Sequence, residues 1–532
     1  MPKLVADYKQ DSRKIELYGP QFSYFDQMYF PDKDESDHGA TGNGLSVKRI
    51  VDKIGTSKNA TIVFTHTGTS DTTTYTFTTD ETIPSNIRVV MQPGAIIDGA
   101  GTLTISGPFE AGPYQVFGSS ITVSFGSGAV KEVYPEWWGI DGTADDIQIE
   151  AAYDAVGANA PVILQPKTYT LSAGLTWDTN GSAVRCLGGL ATLSTSTDID
   201  IVTIQCKNST FENIKTLRSN GTPTKAGFKL DDGTLNAHIV NCKSFGSAYG
   251  MELYSSSGTG TGYNQIYHFH TNDCITADVY IHTSGAGWVN ENLFEGGNLH
   301  ADSTTGRCIN IASSSNQNKF FGVSFEGGDE YKFQVVDHGT NIFMGCRFEV
   351  NGHGMYVHNP SANFQTMTVL KNNYWGMTTG KVKVTCVDGR LRTDTWHDRM
   401  TYEGFVVDAT PLDTTVDVDS NSGQKVLSVA STTNCYQGQH VGINVGGERE
   451  EWGVIDSVAA GVSITLKANL RYTHTAVQAD TVKTYGAIYG NGFYTEDDSA
   501  NYSAIFVRGV KVARFKNDGT LELDATVSEN AW

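Results

Sequence analysis

The sequence predicts an all-β protein: a parallel β-helix, or β-solenoid, followed by small β-sandwich or barrel modules. Three observations lead to this prediction. Similar segments recur every 23 to 28 residues between about Ile239 and Trp375. The chain combines 57 Gly with only 13 Pro and 18% charged residues, which suits short strands joined by polar turns. Helical patterns are confined to two short stretches.

The length of the chain sets the scale of this architecture. At 532 residues it exceeds one ordinary domain, so it contains several modules or one long repetitive one. Its 24 Tyr and 24 Phe supply enough apolar surface for a continuous core.

The net charge of −20 restricts the expected partners. A chain without a basic face repels nucleic acid and anionic membrane surfaces, so we expect neither as a partner. A local basic pocket on this acidic body could still hold a polyanionic sugar.

The first residues, MPKLVADYKQDSRK, lack the apolar segment that directs secretion. The chain contains no run of about 18 apolar residues, so insertion into a membrane is not predicted. We therefore expect synthesis in a cytoplasm, followed by release through lysis or as part of a particle if the protein acts outside the cell.

The eight cysteines show no CxxC pair and no Cys/His spacing typical of zinc sites. They are Cys186, Cys206, Cys242, Cys274, Cys308, Cys346, Cys386 and Cys435. Most gaps between them are 32–40 residues, which favours buried, reduced thiols in successive rungs. A disulfide framework is the weaker alternative, because a chain of this size does not need one.

Changes in residue composition and pattern divide the chain into five segments. Residues 1–38, with the aromatic run PQFSYFDQMYF, are predicted to form an attachment arm. Residues 39–134 form a β-rich region of short strands separated by Gly and Pro turns, and residues 135–402 form the central β-helix. Residues 403–482 alternate strictly, which is typical of a small barrel or sandwich, and residues 483–532 form a last antiparallel β module with an NDG turn.

Two short helices are expected ahead of the repeats. One follows the Gly-rich HGATGNG. The other begins near Asp145, which has the spacing of a capping box with Gln148. Ile149, Ala152 and Val156 then recur at helical spacing.

Two further motifs are assigned to structure. The pair Trp137 and Trp138 is expected to close the base of the β-helix beneath the second short helix, and ligand binding there is the less favoured alternative. The run EREEW at 448–452 is expected to be a solvated strand end, with carbohydrate binding as the alternative.

Six segments align as successive rungs, beginning 28, 27, 26, 23 and 26 residues apart. They are IVNCKSFG from Ile239, YHFHTNDC from Tyr267, FEGGNLHA from Phe294, FFGVSFEG from Phe320, FMGCRFEV from Phe343 and VLKNNYWG from Val369. A period of this length with strand-forming residues predicts a parallel β-helix, in which each rung buries its inner face by stacking on its neighbours.

The alignment predicts inward-facing ladders. The first residues of the six segments form one of them. The residues five positions later form the second: Ser244, Asn272, Leu299, Phe325, Phe348 and Tyr374. Asn292, Asn318 and Asn341 lie two residues before their segments, as expected for a ladder of side-chain amides that holds a turn.

The segment GSGAVKEVYPEWWGIDGTADDIQIEAAYDAV, followed by PVILQPKTYTL, resembles the start of the pectate-lyase-like right-handed parallel β-helix superfamily. Its Gly-rich turn, DD helix start and strand-turn-TY-strand carry the likeness, and HGATGNG looks like a second, degenerate copy. The arrangement is most similar to bacteriophage tailspikes and polysaccharide depolymerases. The likeness in fold covers residues 40–400.

This resemblance implies a function. Tailspikes of this kind are typically homotrimers that attach to the phage tail or baseplate through the N-terminus. They bind, and often cleave, bacterial surface polysaccharide. The resemblance thus implies a virion protein made in the host cytoplasm and acting at the bacterial surface. The superfamily shares no catalytic motif, so candidate residues must come from the sequence itself.

One column just outside the second ladder carries the candidate chemistry: Phe245, Asp273, His300, Glu326, Glu349 and Trp375. Because Phe325 and Phe348 point inward, alternation sends the glutamates that follow them outward. Rungs lie about 4.8 Å apart, close to the roughly 5–5.5 Å between the carboxyl groups of a retaining glycosidase. Glu326 and Glu349 are therefore the predicted catalytic pair, one protonated and one ionised.

Residues around this pair are predicted to bind substrate. They are Glu295, His300, Arg347, Tyr374 and Trp375. Four other acids compete for the catalytic role: Glu295, Asp302, Asp329 and Glu330. A structural interpretation stays open, in which the stacked glutamates are a solvated ladder balanced by Arg347 and Lys319, and Tyr374 and Trp375 cover the last rung.

No cofactor is predicted, since phosphate loops, HExxH, GxSxG and cysteine-nucleophile signatures are absent. Four histidines invite a metal hypothesis: His268, His270, His282 and His300. Their spacing crosses rungs, so no metal site is predicted.

Three functions remain open at this point. An endo-glycosidase is slightly favoured over a polysaccharide lyase, which would need a base such as His300 beside a cation such as Arg347. A tail adhesin that binds glycan without cleaving it belongs to a different class. A bacterial cell-surface β-helix is the third.

Overall fold

The computed structural model shows an almost all-β chain, with a parallel β-solenoid of about ten turns and an antiparallel half-barrel sheet nearer the C-terminus. This confirms the predicted parallel β-helix with C-terminal β modules. The residues described are 14–15, 27–32, 46–67, 70–219, 221–301, 306–312, 315–327, 333–336, 341–349, 355–359, 367–371, 373–375, 382–386, 390–393, 405–406, 413–432, 435, 440–444, 449–485, 494–499, 502–507, 510–516 and 521–523. Two compact units, residues 1–247 and 248–532, are described in turn.

Parallel strands of the first unit begin well before the repeats that the sequence shows. One sheet contains Lys14–Ile15, Gln27–Tyr29, Ala60–Phe64, Ile87–Met91 and Phe109–Glu110; a second contains Glu81–Ile83, Thr102–Ile105 and Thr122–Phe125; a third pairs Thr73–Thr76 with Ala95–Asp98. All these pairings are parallel except that between the first two strands. The sequence predicts short strands in this region but not how they pair. The observed parallel pairing is that of a solenoid.

Helix α1 (Val47–Ile54) lies where the first helical pattern was predicted. The Ser46 hydroxyl accepts a hydrogen bond from the Arg49 backbone N–H, which satisfies one of the unpaired donors of the first turn. The helix packs its apolar side inward and ends at Gly55, whose φ is +61°.

Helix α2 (Asp146–Val156) confirms the second helix, with Ile149, Ala152 and Val156 buried. The predicted capping box is wrong, because the Asp145 side chain makes no capping hydrogen bond. Its carboxylate instead accepts from the backbone N–H groups of Gly142, at 2.8 Å, and Thr170, at 2.7 Å.

An aromatic cluster lies beneath helix α2. The short 3₁₀ helix Pro135–Trp138 buries both of its tryptophans. Trp137 packs against Phe109 and Phe125, and Trp138 against Phe117, with ring centroids 5.0–5.9 Å apart. The burial of both indoles agrees with the structural role expected for this pair.

The remaining strands of the first unit form two faces of the solenoid. One face contains Val162–Leu164, Thr168–Thr170, Ala183–Cys186, Ala191–Thr195, Thr210–Glu212, Ile214–Arg218, His238–Val240 and Lys243–Phe245; the other contains Leu175–Trp177, Val202–Ile204 and Ala226–Leu230. Asn213 and Asn241 turn the chain at φ +60° and +50°, in a conformation that Asn tolerates well. The Asn241 amide donates to the Asn213 side-chain oxygen at 2.7 Å.

The second unit continues with parallel strands on three faces. The first face contains Gln265–Asn272, Leu293–Ala301, Lys319–Phe321, Ser324–Gly327, Asn341–Met344, Arg347–Glu349, Met367–Lys371, Tyr374–Trp375 and Arg390–Thr393. The second contains Tyr249–Ser255, Ala277–Thr283, Arg307–Ala312, Phe333–Val336, Met355–Asn359, Val382–Cys386 and Phe405–Val406; the third contains Thr261–Gly262, Val289–Asn290 and Ser315–Asn316.

Side-chain ladders fill and join these rungs. Phe294, Phe320 and Phe343 stack at centroid distances of 4.8 Å, as the first inner ladder predicted. A chain of hydrogen-bonded amides runs along a neighbouring turn and confirms the predicted asparagine ladder. Its members, each fully buried, are Asn264, Asn292, Asn318 and Asn341.

The C-terminal modules are antiparallel, as predicted. A six-stranded sheet contains Asp413–Thr415, Thr481–Tyr485, His440–Ile443, Glu451–Ala459, Ser463–Leu466 and Val426–Ser428 in that order. A four-stranded sheet contains Tyr494–Ser499, Tyr502–Val507, Val510–Lys516 and Leu521–Leu523.

The solvated strand end predicted for the EREEW run is wrong at Glu451. Glu451 is buried, and its carboxylate lies 3.2 Å from Nε2 of the fully buried His474. Nδ1 of the same ring lies 3.2 Å from Asp480, which also pairs with Arg449 at 3.1 Å. The glutamate is thus buried beside an imidazole that lies 23 residues further along the chain.

The cysteines confirm the predicted buried thiols wherever the structure describes them. Seven are free and buried: Cys186, Cys206, Cys242, Cys274, Cys308, Cys346 and Cys435. The side chain of Cys386 lies outside the described set.

Candidate functional site

The register of three neighbouring strands brings the predicted column together. His300 pairs with Glu326, and Glu326 pairs with Glu349, in successive parallel rungs. The residue before each of them is buried in the core. Strand alternation therefore places these three side chains on the outer side, as predicted.

The last rung of the predicted column is wrong by one residue. Trp375 pairs with the inward Phe348, and Tyr374 pairs with Arg347. The predicted register had put Tyr374 on the inner ladder and Trp375 outside it. Both residues at this rung are aromatic, so polarity alone could not separate the inner position from the outer one.

The same one-residue shift affects the first inner ladder. Phe294 pairs with Ile266 instead of Tyr267, and Phe343 pairs with Leu370 instead of Val369. Tyr267 resembles a core residue by composition, yet its hydroxyl donates to the Gln265 side chain at 2.7 Å.

Two other predicted ladder positions differ from the structure. Thr271 is the buried residue near the end of its strand, where the second ladder placed Asn272. Asp273, predicted in the outer column, follows that strand at φ +55° and donates its backbone N–H to the His300 carbonyl at 3.1 Å. This rung therefore has the same one-residue shift, because Ile266 and Thr271 take its inner positions.

Arg347 lies against both candidate carboxylates. Its Nη1 is 3.6 Å from Glu326, and its Nη2 is in contact with Glu349. The three side chains keep partial exposure, at 50% for the arginine, 28% for Glu326 and 37% for Glu349. A single cation thus offsets part of the repulsion between two acids on adjacent rungs.

Glu326 is held by two neutral side chains that sequence reasoning missed. Asn298 donates its amide to Oε2 at 3.3 Å, and the Ser324 hydroxyl donates to Oε1 at 3.1 Å. Both residues precede a column member by two positions, so strand alternation puts them on the same outer face. That spacing is the signal that could have found them.

Two buried polar atoms beside Glu326 are without a hydrogen-bond partner among the described residues: Nδ1 of His300 and Oδ1 of Asn298. Buried polar atoms are rarely left unpaired, so such atoms in a cluster of ionisable groups favour a ligand site. The backbone N–H of His300 donates to the Thr271 hydroxyl at 3.0 Å, which fixes the residue in its rung.

The other predicted residues have separate positions. Glu295 is exposed and pairs in register with Tyr267 and Phe321, so it belongs to a different column from Glu326. The side chains of Tyr374 and Trp375 lie outside the described set, as do the competing acids Asp302, Asp329 and Glu330.

No group of three or more metal-ligating side chains occurs in the described part of the chain. His282, one of the four histidines considered, lies 2.7 Å from Glu252 through Nε2. None of the described helices is long and apolar enough to cross a membrane.

No family model matches the chain, and no curated protein is similar to it. Several solved structures share its fold at low similarity. The enzymatically active domain of tailspike protein 2 from bacteriophage CBA120 is 11% identical with a TM-score of 0.37, over 74% of this chain and 75% of that one. ORF18 of Geobacillus virus E2 is 12% identical with a TM-score of 0.33, over 74% and 86%.

A third structure is the tailspike protein gp49 of the Acinetobacter baumannii bacteriophage Fri1, which is described as a capsular polysaccharide depolymerase. It is 10% identical with a TM-score of 0.32, over 67% of this chain and 86% of that one. With TM-scores this low, the fold assignment rests on the strand pairing of the chain itself.

Proposed function

We propose that this chain is a bacteriophage tailspike that binds bacterial surface polysaccharide and depolymerises it as a retaining endo-glycosidase. The observation that carries the proposal is the pairing of Glu326 with Glu349 on adjacent rungs. Neighbouring strands lie about 4.8 Å apart, and retaining glycosidases hold their two carboxyl groups roughly 5–5.5 Å apart.

We propose separate roles for the two glutamates. Glu326 accepts hydrogen bonds from Asn298 and Ser324, which hold its carboxylate in one orientation. In the proposal it is the nucleophile that attacks the anomeric carbon. Glu349 protonates the leaving glycosidic oxygen and then deprotonates the water that releases the sugar from Glu326.

The polar atoms around the pair would bind the sugar. Nδ1 of His300 and the side-chain oxygen of Asn298 are positioned beside Glu326 and have hydrogen-bonding capacity to offer hydroxyl groups. Tyr374, paired with Arg347 on the outer face, is proposed to contact the sugar on the following rung. Glu295 would contact the chain from a separate column.

The wider tailspike role comes from the sequence resemblance. We propose attachment to the phage tail through residues 1–38, assembly as a homotrimer, synthesis in the host cytoplasm and action at the bacterial surface. A lyase is less favoured, because Arg347 already contacts two carboxylates and has less charge to offer a uronate.

The test is cleavage by the purified chain of capsular polysaccharides and O antigens, followed by polymer length and new reducing ends. We expect Glu326→Gln and Glu349→Gln each to lower the cleavage rate by about 10²–10⁴-fold, the contribution of a positioned acid–base group. Glu110→Gln, at an exposed glutamate of the first unit, is the matched control and should cleave normally.

Three outcomes separate the hypotheses. Binding without shortening of any polymer identifies an adhesin and rejects the enzyme. Shortening with the ultraviolet absorbance of an unsaturated uronate identifies a lyase. Full activity in either glutamine variant rejects this carboxylate pair.

A further inference from the structure

An exposed tyrosine and a half-buried tryptophan meet at a corner of the second unit, on a sheet that does not contain the carboxylate pair. Tyr263 follows the strand Thr261–Gly262, and Trp288 precedes the strand Val289–Asn290, which pairs with it. Their ring centroids are 6.4 Å apart and their planes are inclined at 73°. The two rings thus form an L-shaped corner.

The indole of Trp288 is seated on glycine backbone. A Cβ at Gly260 would lie 2.0 Å from the indole ring, and one at Gly262 would lie 2.8 Å from it. Only glycine lets the ring approach this closely, and Gly260 also has a φ of +66°. The indole N–H donates to the Gly258 carbonyl at 3.0 Å, so one face of the ring is fixed against the backbone.

Tyr263 occupies an unfavourable backbone conformation at the surface. Its φ is +59°, in the left-handed region that bulky side chains seldom adopt, and 47% of the residue is exposed. The equivalent positions of the next rungs, Glu291 and Gln317, are also left-handed, at φ +59° and +56°. Asn or Gly would hold the same turn with less strain, so the packing of the fold does not explain the tyrosine.

The chemistry of the corner fits a sugar. Pyranose rings have an apolar face of C–H groups that stacks on aromatic rings, and two rings at a steep angle can contact a face and an edge together. The Tyr263 hydroxyl and the partly exposed Glu291 provide hydrogen bonding beside the rings.

We propose that Tyr263 and Trp288 form a carbohydrate-binding subsite for a pyranose residue of the surface polysaccharide, on a different sheet from the cleavage site. This rests on the proposed function for the identity of the polymer. The subsite holds the chain and takes no part in bond cleavage.

The test uses the full-length chain and native gels, each cast with one bacterial capsular polysaccharide or O antigen. We expect Trp288→Ala and Tyr263→Asn to weaken retardation by the bound polymer by about tenfold, the scale of one lost aromatic contact. Tyr263→Asn should also melt no lower than the parent chain, because Asn tolerates this backbone better than Tyr. Weaker binding without weaker folding is not expected of a structural residue.

Two further variants sharpen the experiment. Gly260→Ala keeps both rings but displaces the indole from its seat, so binding should fall without loss of an aromatic residue. Tyr472→Ala, at a tyrosine 38% exposed in the C-terminal module, is the matched control and should bind normally.

The outcomes distinguish the subsite from the proposed function. If the parent chain binds or cleaves a polymer and the corner variants bind it equally well, the subsite is rejected and the proposed function stands. If no polymer is bound or shortened, the proposed function fails and the subsite with it. If light scattering shows that the corner variants change the oligomeric state, the corner is a contact between copies, which also rejects the subsite.

Discussion

Arg347 shows at the level of one residue how two acids can share a column. Glu326 and Glu349 lie on adjacent rungs, where like charges repel, and the guanidinium contacts both. Partly exposed ion pairs contribute only about 0.2–1 kcal/mol to stability. The arginine therefore matters more for the charge of the site than for the fold.

Asp278 is a buried acid outside the candidate site. It is fully buried, and neither carboxylate oxygen has a hydrogen-bond partner among the described residues. Burial raises the pKa of Asp278 well above its ordinary value, although the nearby side chains of Thr271, Cys274 and Cys308 oppose the shift. The carboxyl group is consequently a source of instability at neutral pH.

The sign of this effect can be tested with Asp278→Asn. An aspartate pKa raised above its unfolded value of about 3.9 contributes stability that is fully present below that value and is lost as pH rises. We expect the variant to gain about 1–3 kcal/mol in free energy of unfolding at neutral pH, the scale of one buried substitution. The gain should vanish near about pH 3, where the carboxyl is protonated in both states.

Denaturant titrations across this pH range provide the measurement. The exposed Asp456 offers the control, since Asp456→Asn should change stability little at any pH. A variant of Asp278 that is less stable than the parent at neutral pH would show that the carboxylate is favourably bound.

At the level of the element, the asparagine ladder holds a turn whose backbone is left-handed. Tyr263, Glu291 and Gln317 adopt positive φ, and each is followed by a ladder member. The amide of one rung donates to the oxygen of the next, at 2.9 Å from Asn292 to Asn318. The oxygen of Asn318 also accepts the backbone N–H of Asn292 at 3.2 Å.

Asn318→Leu would leave two buried donors of Asn292 without an acceptor. Each unsatisfied buried group costs about 1–3 kcal/mol, so the free energy of unfolding should fall by roughly that amount or more. Urea denaturation measures the change. Asn421→Leu, at an exposed asparagine of the C-terminal module, should stay within about 0.5 kcal/mol of the parent. Equal effects of the two substitutions would contradict the ladder.

The elements also show what the sequence could predict. The rungs at Phe294, Phe320 and Phe343 were aligned correctly, because an asparagine lies two residues before each phenylalanine and marks its register. At Tyr267 and Val369 an apolar neighbour fits the inner position equally well, and the pattern chose the wrong residue. Register is strongly specified only where alternation is unambiguous.

The same dependence on register explains why only part of the candidate site could be predicted. Glu326 and Glu349 follow unambiguous inward phenylalanines, so their shared column could be found. Asn298 and Ser324 were missed because short polar side chains are common on solvated strand faces and reveal no partner. The burial of Glu451 was missed because its partner, His474, is 23 residues away in sequence.

At the scale of the whole molecule, free thiols are buried along both units. Burial raises the pKa of Cys242 to about 12, and those of Cys346 and Cys435 to about 11. A thiol reacts as its thiolate, so both the lack of access and the raised pKa suppress reaction in the folded chain.

Thiol labelling should therefore report the unfolding of the chain. In a Cys386→Ser variant, which removes the cysteine outside the described set, we expect the seven remaining thiols to react with an aromatic disulfide reagent only as the chain unfolds. Raising the pH from about 7 to about 9 should accelerate labelling of the denatured chain far more than that of the folded chain, because burial keeps the folded thiols away from the reagent. Labelling in concentrated denaturant should count all seven, and a lower count would identify a disulfide. Fast labelling of the folded chain would show that a rung opens locally, and mass spectrometry of the labelled peptides would identify the rung.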